Sequence, residues 1–176
     1  MWKGLLLAAV VVNAMLVGAS GDQIVKQLPA RHRIGVAAFS DYSRAADLTN
    51  GVPWYATLGI GAAALAIAVA LAGLRMRPRS RTRTAVLVTA LLCTVAHSAV
   101  TAVAAPLNFS QRDADNLTEL ARIFDQFERL TILRGVLQAT ALAALMWTLA
   151  RYTGSVVRQP AAASSGGELG PPQNTP

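Results

Sequence analysis

The chain has little charge, little acid, few aromatics and almost no sulfur. Only 14% of its 176 residues are charged, where a soluble globular domain has about a quarter, so a water-covered surface around one core does not describe it. A single cysteine, Cys93, excludes an internal disulfide and a cysteine-based metal cluster. The two histidines, His32 and His97, lie far apart in sequence and fall in no HExxH or clustered pattern, so no metal site is expected. A nicotinamide or flavin fold would need a glycine fingerprint between a strand and a helix. Here Gly59 and Gly61 open "GIGAAALAIAVALAGL", which simply continues as an apolar run. No cofactor is therefore expected. Acids number 9 against 16 lysines and arginines, for a net charge of +7. That excess is concentrated in "RMRPRSRTR", a short run between two apolar segments with no interleaved aromatics. It does not fit nucleic acid, while anionic headgroups of a lipid bilayer suit it.

What the chain has is apolar length, since 53% of it is hydrophobic and most of that is gathered in four runs. Three of them, at about 53–74, 84–105 and 130–150, have the roughly 20 residues that a helix needs to cross a hydrocarbon core about 30 Å thick. The first, at about 4–20, is shorter. Lys3, the run and "VGAS" also have the form of a secretory signal peptide, with a cut between Ala19 and Ser20, whereas Asn13 is unusual in a purely targeting segment. With the first run retained, the expectation is an all-α polytopic membrane protein, a bundle of four transmembrane helices spanning a membrane domain over residues 1–152.

The positive-inside rule orients it. Arg75, Arg77, Arg79, Arg81 and Arg83 stand without an acid among them, which places that connection and both chain ends in the cytoplasm of a multi-pass cell-membrane protein. Residues 153–176, rich in Gly, Pro and Ser, read as a disordered cytoplasmic tail. The two outward connections are more patterned. After Pro29 the first is expected to be partly helical. In the second, Pro106 is expected to end the third span. Asn116 and Glu119 then have the residue types of a capping box, and Leu117, Leu120, Ala121, Phe124 and Phe127 recur at helical spacing, so a short amphipathic helix should lead into the fourth span.

Polar residues inside the runs locate the candidate site. Counted from the outer ends at about 1.5 Å per residue, His97 and Gln138 lie roughly 12 Å deep, Asn13 roughly 10 Å and Arg134 roughly 6 Å. They come from three helices and fall in one slab. Polar groups facing acyl chains are costly, so the economical packing turns them toward one another around an outward-opening pocket. Each also has a plain structural role open to it: Arg134 snorkelling to the headgroups, Asn13 and Gln138 as interhelical hydrogen bonds, His97 as a strut.

The stretches "LPARHRIGVAAFSDYSRAADLTNGVPWYATLG" and "FERLTILRGVLQATALAALMWTLA", with Asn108 between them, resemble the anthrone-oxygenase-like family of small four-helix membrane proteins over about residues 1–150. Members of that family with an assigned activity look like cofactor-independent oxygenases that convert an anthrone to a quinone. The resemblance implies a hydrophobic aromatic substrate and O₂, with His97 as base and Arg134, Gln138 or Asn13 stabilising the developing oxyanion. The substrate would enter laterally from the bilayer or beneath the 117–127 helix, with Trp54, Tyr55, Asn108 and Phe124 as the contacts this reading implies. A non-catalytic membrane protein, an assembly partner or small-molecule binder whose polar slab only fixes helix packing, is the reading from the other class.

Overall fold

Alanine and glycine set how closely the helices approach, and the apolar runs set their length. The computed structural model describes residues 2–76 and 80–157, with side chains to residue 152, so the greater part of the expected tail and the middle of the arginine-rich connection lie outside the described residues. Helix α1 covers Trp2–Asp22; a π-helical turn, Gln23–Gln27, joins it to α2, Leu28–Ile34. After a reversal at Gly35 come α3, Val36–Ala45, a second π turn, Ala46–Asn50, and α4, Gly51–Arg75. Helix α5, Arg81–Phe109, ends in a 3₁₀ turn, Ser110–Arg112, and α6 runs over Leu117–Val157.

Four of these rods are long and apolar enough to cross a membrane: Trp2–Ile34, Val36–Arg75, Arg81–Arg112 and Leu117–Tyr152. The chain is thus an all-α integral membrane protein with four spans. In the bundle α1 packs on α4 and α6, and α5 packs on α4 and α6, so the helices close a ring in the order α1, α4, α5, α6. The core around the arginine-rich end joins Leu6 and Ala9 of α1, Ala66 and Val69 of α4, Leu87 and Ala90 of α5, and Ala144 and Leu145 of α6. Gly73 belongs to this contact: a Cβ there would come within 2.7 Å of both Leu87 and Trp2. Helix α1 is integral to the packing, with Leu6, Ala9 and Asn13 wholly inaccessible.

The outer ends are more helical than the sequence leads one to expect. The first connection is a helical hairpin from residue 20 to residue 51. Pro29 follows the π turn Gln23–Gln27 within the continuous rod Trp2–Ile34, where its ring removes one backbone hydrogen bond and the π turn lies in the preceding helix. The reversal falls at Gly35, whose φ of 83° is the only positive value among the described residues and is costly for a residue with a Cβ. Pro106 does not end its helix. The apolar run stops there, but α5 continues to Phe109, and Ser110 donates its N–H to the Pro106 carbonyl. A proline so near a helix end removes one hydrogen bond without breaking the turns that follow. The amphipathic stretch after Asn116 forms the first turns of α6. Asn116 caps it by accepting the Glu119 N–H at 2.9 Å, and the Glu119 carboxylate reaches back to the Asp115 N–H at 3.3 Å. Its apolar face, Leu120, Phe124 and Phe127, meets Leu28 of α2, Phe39 of α3 and Ala104 of α5 in an outer core.

A candidate ligand cavity and a polar lock beneath it

The slab of intramembrane polar residues divides into two groups with different surroundings. In the deeper one, Gln138 of α6 donates to Asn13 of α1 at 2.5 Å, and Asn13 donates to the carbonyls of Ala9 at 2.8 Å and Ala62 at 3.3 Å. Both side chains are buried, and the small Ala62 lets Asn13 reach the α4 backbone. The pair ties three helices together, and neither residue borders a cavity.

One turn toward the outside lies a cavity of about 470 Å³, within the range of small-molecule sites. His97, Arg134, Tyr55 and Asn108 are on its wall, together with Ser20, Gln23, Asp47 and Phe127. His97 Nδ1 lies 3.0 Å from the Arg134 carbonyl oxygen. A carbonyl only accepts, so Nδ1 bears the hydrogen, and in the neutral ring the lone pair is on Nε2. No hydrogen bond engages Nε2 among the described residues. The Arg134 guanidinium donates from Nη2 to Gln23 Oε1 at 2.7 Å and lies 5.6 Å from the centre of the Phe127 ring. Its Nε is buried without a partner, and no carboxylate lies within ion-pair distance of it among the described residues. A half-buried cation bonded only to a neutral amide keeps capacity for an anionic or strongly accepting oxygen. Asp47, ahead of the second apolar run, accepts from Ser43 Oγ at 3.0 Å.

Two of the expected contacts lie elsewhere. Trp54 is about half exposed on the outside of α4. Phe124 is fully buried in the outer core, edge-on to Phe39 with ring centres 5.0 Å apart. Phe127, one turn on, is the α6 aromatic that reaches the cavity.

A polar cap closes the outer end. Arg31, 6% exposed, donates to Asp125 at 2.8 Å and Glu128 at 2.6 Å, fastening α2 to α6. Gln111, with no exposed surface, accepts from Ser40 at 3.1 Å and donates to Ser43 at 3.2 Å and to Asn108 Oδ1 at 2.9 Å, while Arg44 donates to its carbonyl at 2.6 Å. Arg112 donates to the Leu48 carbonyl at 2.9 Å. Sequence reading missed Arg31, Gln111, Asp47 and Gln23. The three-residue spacing of Asp125 and Glu128 on one helical face was the single usable signal, since it offers two carboxylates to one guanidinium. Among the described residues no three metal-binding side chains cluster.

No protein family model matches the chain, and neither does any curated protein or solved structure.

Proposed function

We propose that the chain is a cofactor-independent oxygenase of anthrone-like or other electron-rich aromatic molecules, working in the outer half of the bundle. The observation that supports this best is the pairing at the cavity wall of an imidazole with a free Nε2 and a guanidinium with no carboxylate partner. An anthrone is acidic at its central CH₂. His97 Nε2 would take that proton, and the negative charge would move to the carbonyl oxygen, where Arg134, held by Gln23, stabilises it. The carbanion then gives electrons to O₂, the new C–O bond forms a peroxide, and its O–O bond breaks with loss of water, leaving the quinone. One anthrone and one O₂ thus give one quinone and one water. Tyr55, Asn108 and Phe127 shape the space for the ring system. Asn13 and Gln138, joined by the hydrogen bond from Gln138 Nε2 to Asn13 Oδ1, hold the helices around it.

The orientation we propose has the arginine-rich connection in the cytoplasm, and the run Arg75, Arg77, Arg79, Arg81 and Arg83 supports it. In a Cys93→Ala background, Arg79→Cys is expected to resist an impermeant thiol reagent in intact cells, and labelling from outside would invert the topology. The packing of Leu6, Ala9 and Asn13 into the core supports a retained first helix over a cleaved signal peptide.

Oxygen uptake by the purified protein, offered a panel of anthrones and hydroquinones, tests the activity directly. The Asn13–Gln138 pair favours the second reading, a non-catalytic binder or assembly partner, because it shows intramembrane polarity serving packing alone. Oxygen uptake no faster than in protein-free detergent across the whole panel would put that reading first.

A further inference from the structure

The wall of the cavity is unevenly exposed. On one side Leu16 and Ser20 of α1, Gln23 of the turn that follows it and Phe127 of α6 are buried, and Arg134 of α6 is half-buried. Its residues from α4 and α5 include Ala56, Ile60, Ser98 and Ala102, which are exposed on the flank of the bundle, Ile60 by 71%. The cavity therefore has a back and a mouth, and the mouth is the seam between α4 and α5. The exposed lining continues along the same seam to Val52 and Phe109, while on the α2, α3 and α6 side the Phe39–Phe124 contact, the Arg31 ion pairs and the Gln111 hydrogen bonds close the outer end. All four mouth residues lie within the apolar runs 53–74 and 84–105; at about 1.5 Å per residue Ala56 and Ala102 are roughly 5 Å below the outer ends, and Ile60 and Ser98 roughly 10 Å. At that depth the seam faces acyl chains rather than water. Polarity is graded along the same line: Arg134, Gln23, His97 and Asp47 are at the back and outer side, and alanine and isoleucine side chains flank the mouth.

We infer that the cavity is filled from the bilayer through the seam between α4 and α5, by a lipid-soluble aromatic molecule whose oxygen-bearing end enters first and seats on Arg134. This rests on the ligand site proposed above and specifies its route and the polarity of its ligand. It requires no turnover. A guanidinium at the back would discriminate between ring systems of equal size by a single oxygen, because burying it against a hydrocarbon leaves its N–H groups unanswered.

Two measurements test the inference without any catalysis. In a Cys93→Ala background reconstituted into phosphatidylcholine vesicles, nitroxide labels at Ile60→Cys and Ser98→Cys are expected to collide readily with O₂ and poorly with a water-soluble nickel chelate, as a label at the lipid-facing Leu92→Cys does. Strong nickel collisions, matching those at an exposed outer position such as Arg33→Cys, would show a water-filled mouth and overturn the route, and so would labels shielded from both colliders. For the ligand, vesicle-borne anthrone and anthracene are compared by their own fluorescence on binding. The wild type is expected to prefer anthrone at least tenfold, Arg134→Lys to keep most of that preference and Arg134→Gln to lose it. Equal affinity of the wild type for the two would remove the head-first seating. Absence of oxygen uptake would refute the oxygenase and leave both of these results intact.

Discussion

Arg134 and Gln138 stand one turn apart on the same helix, and they have opposite fates. Gln138 is buried against Asn13 with its Nε2 donating to Asn13 Oδ1, and together they tie α1, α4 and α6. Arg134 reaches a cavity, bonds one neutral amide and leaves Nε unpartnered. A polar residue inside a membrane helix thus does not by itself mark a working site. The distinguishing observation is whether its hydrogen-bonding capacity is exhausted by the protein, since an unanswered donor at low dielectric is costly and is retained where something else can answer it.

The largest expected effect separates the cavity from the lock through chemistry rather than stability. His97→Gln keeps a donor that can reach the Arg134 carbonyl but offers no basic nitrogen. Turnover is expected to fall by about 10² to 10⁴, the usual share of a general base, while the detergent melting curve stays in place. Acidification of the wild type is expected to lower the rate in the same way, because a protonated imidazole has no lone pair on Nε2. Full activity in the variant would reduce His97 to a strut and return the cavity to the same class as the lock.

Next comes the cap, where a buried cation does have its carboxylates. Arg31→Ala removes the shared partner of Asp125 and Glu128. A fully buried pair broken in this way costs about 3–5 kcal/mol. The Asp125 side chain is 60% exposed and that of Glu128 24%, so water compensates in part and about 2 kcal/mol is expected. Faster amide hydrogen exchange in α2 and the first turns of α6, with little change in α1, would place the loss in the cap. Uniform acceleration along the chain would mean that cap and bundle unfold as one unit.

The lock itself is expected to respond less. Asn13→Leu or Gln138→Leu leaves the other amide buried with a partner missing, which costs about 1–2 kcal/mol inside a membrane bundle. Replacing both removes the unanswered group along with its mate, so the double variant should lose clearly less than the two single losses added together. Strict additivity in such a cycle would mean that the 2.5 Å contact contributes nothing of its own.

These two regions were not equally legible in the sequence. Apolar length and the arginine run specify four helices, and helical spacing puts His97, Arg134, Gln138 and Asn13 at comparable depth, so the slab could be read directly. Which member faces a cavity could not, because spacing gives a residue's face and not the state of its hydrogen bonds. The cap was hidden for another reason. "PARHR" and "FDQFER" look like ordinary wet connections, and Arg31 becomes a buried residue only when α2 docks on α6 and its guanidinium meets Asp125 and Glu128. Gln111 follows Pro106, which reads as the end of a helix, yet the chain stays helical there and brings the Gln111 side chain to Ser40 and Ser43.

The smallest effect tests the principle behind the comparison, and its expected sign is the reverse of the others. Thr131 of α6 and Thr94 of α5 are buried, and their hydroxyl oxygens have no hydrogen-bond partner among the described residues. Neither residue lines the cavity, so unlike Arg134 they have no ligand to wait for. Threonine and valine share a shape and differ by the hydroxyl. Thr131→Val therefore removes an unanswered polar group and replaces it with a methyl, a change expected to leave the melting temperature unaltered or to raise stability by up to about 1 kcal/mol. The same substitution at a satisfied hydroxyl, Thr148, which donates to the Ala144 carbonyl at 2.9 Å, gives up a real bond and is expected to be neutral or slightly destabilising. If Thr131→Val lowered stability more than Thr148→Val, the Thr131 hydroxyl would have a partner in the membrane-embedded protein, and an unpartnered atom such as Arg134 Nε would lose its standing as a mark of where a ligand binds.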